Sequence, residues 1–188
     1  ILDTLDGRVA RLIKGTSKVG KELDSLTDVI SFGVAPGFVM YFWALNEIGK
    51  FGWMFVLIYT VCCALRLARF NLTTIEENES WKINFFEGVP SPAAAGLVLL
   101  PLILNLSGFI KLENYALISS VAILTTSILM ISKLPTYSLK RIVIPRNSTI
   151  FLLLGIGIYV SLLIFYTFKT LFFTGAIYIL LIPISFFH

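Results

Sequence analysis

Four aspartates near the start of the chain, Asp3, Asp6, Asp24 and Asp28, have the type and spacing to do chemistry. Asp3 and Asp6 are i, i+3, and Asp24 and Asp28 are i, i+4, so on helices each pair shares one face. Between the pairs, segment 14–22 carries Gly15, Thr16, Ser17 and Gly20, which lets the chain reverse. Two antiparallel helices can then aim two carboxylates each into one pocket. Left without counter-charge, carboxylates so gathered repel one another, and some take up protons. Bound divalent cations relieve that repulsion. Hard oxygen ligands in a partly aqueous site suit Mg²⁺, with Mn²⁺ or Ca²⁺ as substitutes. Such a set can hold two ions about 3.5–4 Å apart, which polarises a phosphoryl group and stabilises a departing oxyanion. The competing reading is a solvated charge cluster partnered by Lys14, Lys18 and Lys21.

Several neighbours fit the first reading. Gly7 and Ala10 are small and lie on or near the aspartate face, where a flat base or a diphosphate can approach the backbone. Arg11 offers paired donors to phosphate or carboxylate. Each has an ordinary alternative, since small residues pack helices and an arginine at a helix end anchors in the interface. Arg66 and Arg69, at i and i+3 near the end of an apolar run, suit the carboxylate of an amino acid or a lipid phosphate. Plain anchoring, or pairing with an aspartate, is the alternative for both. Asn71 and Ser91 are the remaining polar groups near this face. Lys140, Arg141 and Arg146 suit anionic lipid heads, and Glu76, Glu77 and Glu79 read as a solvated loop.

The elements that must position these groups are built for lipid. The chain of 188 residues is 57% hydrophobic and 14% charged, with a mean hydropathy of +0.89, outside the range of soluble domains. Runs at 24–46, 52–72, 91–110, 114–132, 149–168 and 170–187 have the length and apolarity of spanning helices. With a stub at 1–14 they predict an all-α, polytopic transmembrane bundle of about six full spans. The polar connections are 14–22, 73–90 and 133–148, and Lys169 divides the last apolar stretch. The whole of 1–188 reads as one domain, with a motif-bearing core at 1–110 and additional membrane helices at 111–188. Pro36 and Pro101 are expected to kink their helices, and Pro90 and Pro92 suit a first helical turn. Gly33 and Gly37, and also Gly155, allow close helix contact. Ile1 in place of Met, with Asp3 two residues on, suggests that most of one spanning helix precedes this sequence. No signal peptide is visible.

Charge gives an orientation. With the stub's C-terminal end in the cytoplasm, 12 of the 15 Lys and Arg fall on that side, leaving Lys50, Lys111 and Lys169 on the other. That obeys the positive-inside rule and puts the four aspartates on the cytoplasmic face. The net charge of +4 suits an anionic membrane surface and not nucleic acid. Cys62 and Cys63 are adjacent in an apolar run and read as core residues. His188 is the single histidine, which excludes a histidine-based metal site or dyad within one chain.

Written as a pattern, Asp3, Asp6, Gly7, Ala10, Arg11, Gly20, Asp24 and Asp28 read D-x2-D-G-x2-A-R-x8-G-x3-D-x3-D. This resembles the signature of the CDP-alcohol phosphatidyltransferases, with every fixed position filled. Segments 31–36 (SFGVAP), 65–71 (LRLARFN) and 88–95 (GVPSPAAA) resemble the phosphatidylserine synthase branch. The resemblance covers roughly the first half of the chain. It implies an integral-membrane transferase that moves the phosphatidyl group of CDP-diacylglycerol to L-serine and releases CMP. By the same resemblance Asp3, Asp6 and Asp24 are metal ligands, and Asp28 is both a ligand and the general base. Two Mg²⁺ or Mn²⁺ ions are implied. Asp3, Gly7, Ala10, Arg11 and Gly20 would line the CDP-lipid site, and Arg66, Arg69, Asn71 and Ser91 the acceptor site. A homodimer in the cell (inner) membrane is implied as well. Glycerol 3-phosphate, inositol or its phosphate, and choline are the rival acceptors. A divalent-cation transporter is the rival from another class, and the lack of acidic residues inside the later spans speaks against it.

Overall fold

The computed structural model describes residues 18–76, 85–109, 114–132, 135–137 and 149–187. Helix α1 (Lys18–Val29) runs through a π-helical turn (Ile30–Val34) into α2 (Ala35–Trp43). A 3₁₀ turn at Leu45–Ile48 leads into α3 (Lys50–Glu76). Next come β1 (Phe85–Glu87), α4 (Ser91–Val98), α5 (Leu100–Ser107), α6 (Tyr115–Ile131), β2 (Pro135–Tyr137), α7 (Thr149–Phe165) and α8 (Thr167–Phe187). Helix dominates, as expected. Among the described residues the departure from all-α is one short antiparallel ladder, in which Phe85, Phe86 and Glu87 pair with Tyr137, Thr136 and Pro135. It ties the connection after α3 to the one after α6, a long-range pairing that apolar periodicity does not encode.

The helices coincide with the apolar runs read from sequence. Two of them, Glu22–Trp43 and Lys50–Asn71, each 22 residues, are long and apolar enough to cross a bilayer. At 1.5 Å per residue each is about 33 Å long. Tyr115–Ile131, Ile150–Phe165 and Thr167–Ile182 are apolar but shorter. The outer surface suits hydrocarbon: on α7, Ile150, Phe151, Leu153, Ile156, Ile158 and Ile164 are all exposed.

Proline acts where it was expected to, by restarting helices. Pro36 falls in the first turn of α2, directly after the π-turn, and Pro101 in the first turn of α5, after a break at Leu99. Neither residue can donate to the preceding turn, so the ladder slips one register at Pro36 and breaks before Pro101. The division between α7 and α8 falls at Tyr166, three residues before Lys169. It is a tight reversal, because the Tyr159 hydroxyl reaches Thr174 Oγ1 at 3.1 Å.

The core forms where α3 meets its neighbours. Val56, Tyr59, Cys63 and Leu67 are buried along one face of α3, spaced i, i+3, i+7 and i+11 as a helix stripe requires. Against them pack Met40, Val89, Ala94, Leu97, Val98, Ile123 and Met130 from α2, the 88–90 loop, α4 and α6. Gly33 and Gly37 permit the contact with α3. A Cβ on Gly33 would lie 3.1 Å from Cys63 Cβ, and one on Gly37 would lie 2.9 Å from Val56 Cγ1. The close-contact role read for this glycine pair is what the packing has. Gly155, by contrast, faces open space.

Candidate active site

The site lies at the end of the bundle where α1 begins, α3 ends, α4 begins and α6 ends. Gly20, Asp24 and Asp28 recur every fourth residue along α1 and form one stripe. Gly20 and Asp24 are exposed, and Asp28 is half-buried where α1 nears α3. Asp3, Asp6, Gly7, Ala10 and Arg11 lie outside the described residues. The expected convergence of four carboxylates therefore stands as an expectation. The two described aspartates are one turn apart on one helix and supply only hard oxygen donors, the chemistry that a divalent cation such as Mg²⁺ or Mn²⁺ needs.

The π-turn shapes this end. It adds one residue to the helical ladder, which rotates the next helix, α2, by about 100° relative to a continuous α-helix. With that slip Asp28 comes round toward the face of Gly33 and Gly37, which packs on α3. Asp28 then lies within electrostatic reach of both Cys63 and Arg66.

Arg66 and Ser91 are the buried polar pair of the site. Arg66 is 8% exposed and Ser91 is 1% exposed. Arg66 Nη1 donates to Ser91 Oγ at 2.9 Å, and the thiol of Cys63 faces the same serine. The local sequence explains how Ser91 gets there. Gly88 has φ +76, and a Cβ on it would lie 2.8 Å from Met130 O and 2.9 Å from Ser132 O. Only glycine takes that backbone so close to the end of α6 without strain. Val89 N then donates to Leu129 O at 3.4 Å. Pro90, with φ −58 and ψ 142, directs the chain into α4, and Pro92 occupies its first turn. The segment 88–92 is thus a device that seats Ser91 under Arg66.

Among the described residues Arg66 Nε has no hydrogen-bond partner, although it is buried. A buried donor left unpaired costs about 1–3 kcal/mol, more when charged.

Arg69 and Asn71 are held differently. Arg69 Nη1 donates to Ile131 O at 3.1 Å and Nη2 to Met130 O at 3.5 Å. It caps the C-terminus of α6, where a cation also complements the helix dipole. Asn71 Nδ2 donates to Ser25 Oγ at 2.8 Å, tying the end of α3 to the aspartate helix.

Two tyrosines escaped the sequence reading. Tyr59 is fully buried and donates to Phe32 O, inside the π-turn, at 2.7 Å. Tyr178 on α8 packs against the core, and its buried hydroxyl has no partner among the described residues. A tyrosine within an otherwise apolar run was the available signal in each case, and alone it does not separate packing from function.

The far end of the molecule is aromatic. Tyr41 and Trp53 rings meet edge to face at 5.3 Å, and Phe38 and Trp53 at 5.5 Å. Lys169 Nζ sits 5.2 Å from the centre of the Phe109 ring. Aromatic rings and a long cation belong at a membrane interface.

Known proteins resemble this chain over the same region. The family described as CDP-alcohol phosphatidyltransferase matches residues 1–132, which reaches the end of α6 and stops before α7 and α8. The CDP-diacylglycerol–serine O-phosphatidyltransferase of Helicobacter pylori (strain ATCC 700392 / 26695) is 43% identical over 143 residues, 76% of this chain and 58% of that protein. The protein of that name from Mycobacterium leprae (strain TN) is 38% identical over 148 residues, 78% of this chain and 49% of the other. That from Methanocaldococcus jannaschii is 39% identical over 142 residues, 74% of this chain and 61% of the other. The chain spans about half the length of the mycobacterial relatives it matches. The family match takes in the aspartate stripe, the Arg66–Ser91 pair and the helices that bury it, and the chain belongs to the CDP-alcohol phosphatidyltransferase family.

Proposed function

We propose that this protein transfers the phosphatidyl group of CDP-diacylglycerol to the hydroxyl of L-serine, giving phosphatidylserine and CMP. The observation that carries the reading is the buried Arg66–Ser91 pair within electrostatic reach of Asp28. A cation suited to the carboxylate of the acceptor and a carboxylate suited to deprotonate its hydroxyl would then act on one molecule. The names of the relatives support serine as the acceptor.

In this reading Asp3, Asp6, Asp24 and Asp28 hold two Mg²⁺ or Mn²⁺ ions. Bound there, the ions would neutralise the diphosphate and the charge that develops on departing CMP. Gly7, Ala10, Arg11 and Gly20, with Asp3, line the CDP-lipid site. Arg66 and Ser91 bind the acceptor, while Arg69 and Asn71 border it and fix the helices around it. Asp28 accepts the serine hydroxyl proton as the serine oxygen bonds to the phosphatidyl phosphorus and the bond from that phosphorus to CMP breaks. A carboxylate is a weak base for an alcohol, so proton transfer runs late in the step.

The protein is read as one domain over 1–188, multi-pass in the cell (inner) membrane, with about six spans and the site facing the cytoplasm. The apolar helices and the aromatic far end support insertion in a membrane. A homodimer is part of the reading, on resemblance to the family. The test is headgroup transfer by the full-length protein in detergent with CDP-diacylglycerol and Mg²⁺ or Mn²⁺. Serine, glycerol 3-phosphate, inositol and choline are offered separately, and CMP and lipid product are measured. CMP release that requires serine upholds the reading. Release with another acceptor alone removes serine, and no release with any acceptor removes the transferase.

A further inference from the structure

Arg66 Nε and the Tyr178 hydroxyl are two buried polar atoms without partners among the described residues. They come from α3 and α8, and the two side chains lie within electrostatic reach of each other. Tyr178 is brought there by a built contact. Gly175, one turn earlier, presses against the side chain of Leu100 on α5, and a Cβ at that position would collide with it. Tyr178 and Ile182, at i+3 and i+7 from Gly175, continue the same face of α8 onto the core. The helix is thus docked on a stripe with its tyrosine turned inward, and the aromatic ring makes the packing. An unpaired hydroxyl adds nothing to packing and costs desolvation, as does the unpaired guanidinium N–H.

We propose that Tyr178 completes the acceptor pocket, binding the carboxylate of the acceptor alcohol together with Arg66 and Ser91. This rests on the proposed transferase function and adds to it a contact from beyond residues 1–132 that the family match covers. The two open groups fit the ligand. Arg66 Nε–H and Tyr178 O–H are both donors, a carboxylate offers two acceptor oxygens, and one cation matches one negative charge. Asp28 is also within electrostatic reach of Arg66, and the acceptor's hydroxyl end would turn toward that base. A phosphate oxygen of the CDP-lipid has the same acceptor chemistry, and the two sources differ in which kinetic constant responds.

The experiment compares the full-length wild-type protein with Tyr178→Phe and Arg66→Lys. CDP-diacylglycerol is the donor, and L-serine and L-serinamide are offered as acceptors. Serinamide keeps the hydroxyl and the amine and replaces the carboxylate with a neutral amide. Tyr178→Phe is expected to raise KM for serine about tenfold, the effect of one hydrogen bond to a charged group, with KM for CDP-diacylglycerol unchanged. The ratio of kcat/KM for serine to that for serinamide should fall by a similar factor. That ratio does not depend on the fraction of protein that is folded. Arg66→Lys keeps the charge without the fixed Nε–H and should lower the same ratio. An unchanged ratio in Tyr178→Phe overturns the proposal whatever Arg66→Lys does, and so does a rise in KM for CDP-diacylglycerol in place of serine. Wild-type protein that releases CMP only with a different acceptor overturns the serine reading itself, a result separate from any effect of Tyr178.

Discussion

The hydroxyl of Tyr59 donates to the carbonyl oxygen of Phe32 at 2.7 Å, and Phe32 lies inside the π-turn that follows Asp28 and contains the packing Gly33. A fully buried side chain of α3 thereby holds the irregular turn of the aspartate helix. The turn sets the rotation of Asp28, so Tyr59 acts on the chemistry through the backbone. Tyr59→Phe removes this hydrogen bond at a cost of about 0.5–1.5 kcal/mol. For a chain of this size the midpoint of thermal unfolding should fall by about 1–6 °C. In the proposed mechanism this displaces the base and leaves the acceptor pocket in place, so kcat should drop while KM for serine stays within about twofold. A variant with wild-type kcat would show that the π-turn does not need this bond.

The contact between Gly37 and Val56 gives a test of packing alone. A Cβ at Gly37 would stand 2.9 Å from Val56 Cγ1, inside ordinary contact distance. Gly37→Ala should therefore destabilise the protein by about 1–3 kcal/mol through overpacking. Val56→Ala removes the obstructing methyl, so the double variant should be more stable than the sum of the two single changes predicts. The measurement is thermal unfolding in detergent for all four proteins of the cycle. Strict additivity would mean that α2 moves away from α3 to make room.

Legibility in the sequence tracks physical locality. The apolar runs, the polar connections and the restarts at Pro36 and Pro101 are dictated by neighbours in the chain, and the helices begin and end close to where those residues require. The Gly33–Gly37 contact was legible because small residues one turn apart have few other uses in such a helix. The ladder between Phe85–Glu87 and Pro135–Tyr137 was not, because it joins polar connections far apart in sequence. Arg66 and Arg69 show the limit most clearly. Three residues apart on one helix, they look alike in sequence, yet one is buried against Ser91 and the other caps α6. Which carbonyl or hydroxyl each meets depends on helices brought in from later in the chain. Tyr178 comes from still farther away.

That difference between the arginines is itself testable. Arg69→Ala uncovers the carbonyls of Met130 and Ile131 and should cost about 0.5–2 kcal/mol of stability. The ratio of kcat/KM for serine to that for serinamide should stay at the wild-type value. Ser91→Ala should do the reverse. It removes the Arg66 partner from a site with 1% exposure, so the guanidinium loses its fixed orientation and the serine-to-serinamide ratio falls. Thermal unfolding and acceptor kinetics on the two variants separate a cap from a pocket residue. A loss of discrimination in Arg69→Ala equal to that in Ser91→Ala would merge the two roles.

Asp28→Asn tests the chemistry most directly. Asn keeps the shape of the side chain and one carbonyl oxygen, while it removes the negative charge and with it any capacity to accept a proton near neutral pH. Asp28 is half-buried at the α1–α3 contact and within electrostatic reach of Arg66, whereas Asp24, one turn away on the same stripe, is exposed. A base must be shielded from bulk water and close to the acceptor; a metal ligand at the rim need not be. Asp28→Asn should therefore retain CDP-diacylglycerol binding, measured by equilibrium binding of the labelled lipid in the presence of Mg²⁺ or Mn²⁺. Its turnover should fall by about 10²–10⁴-fold, the usual contribution of a positioned base. Asp24→Asn should weaken the metal dependence first, seen as a higher Mg²⁺ or Mn²⁺ concentration for half-maximal rate. If Asp28→Asn instead behaves like Asp24→Asn, with turnover restored by excess metal, Asp28 is a ligand only and the proton leaves by another route.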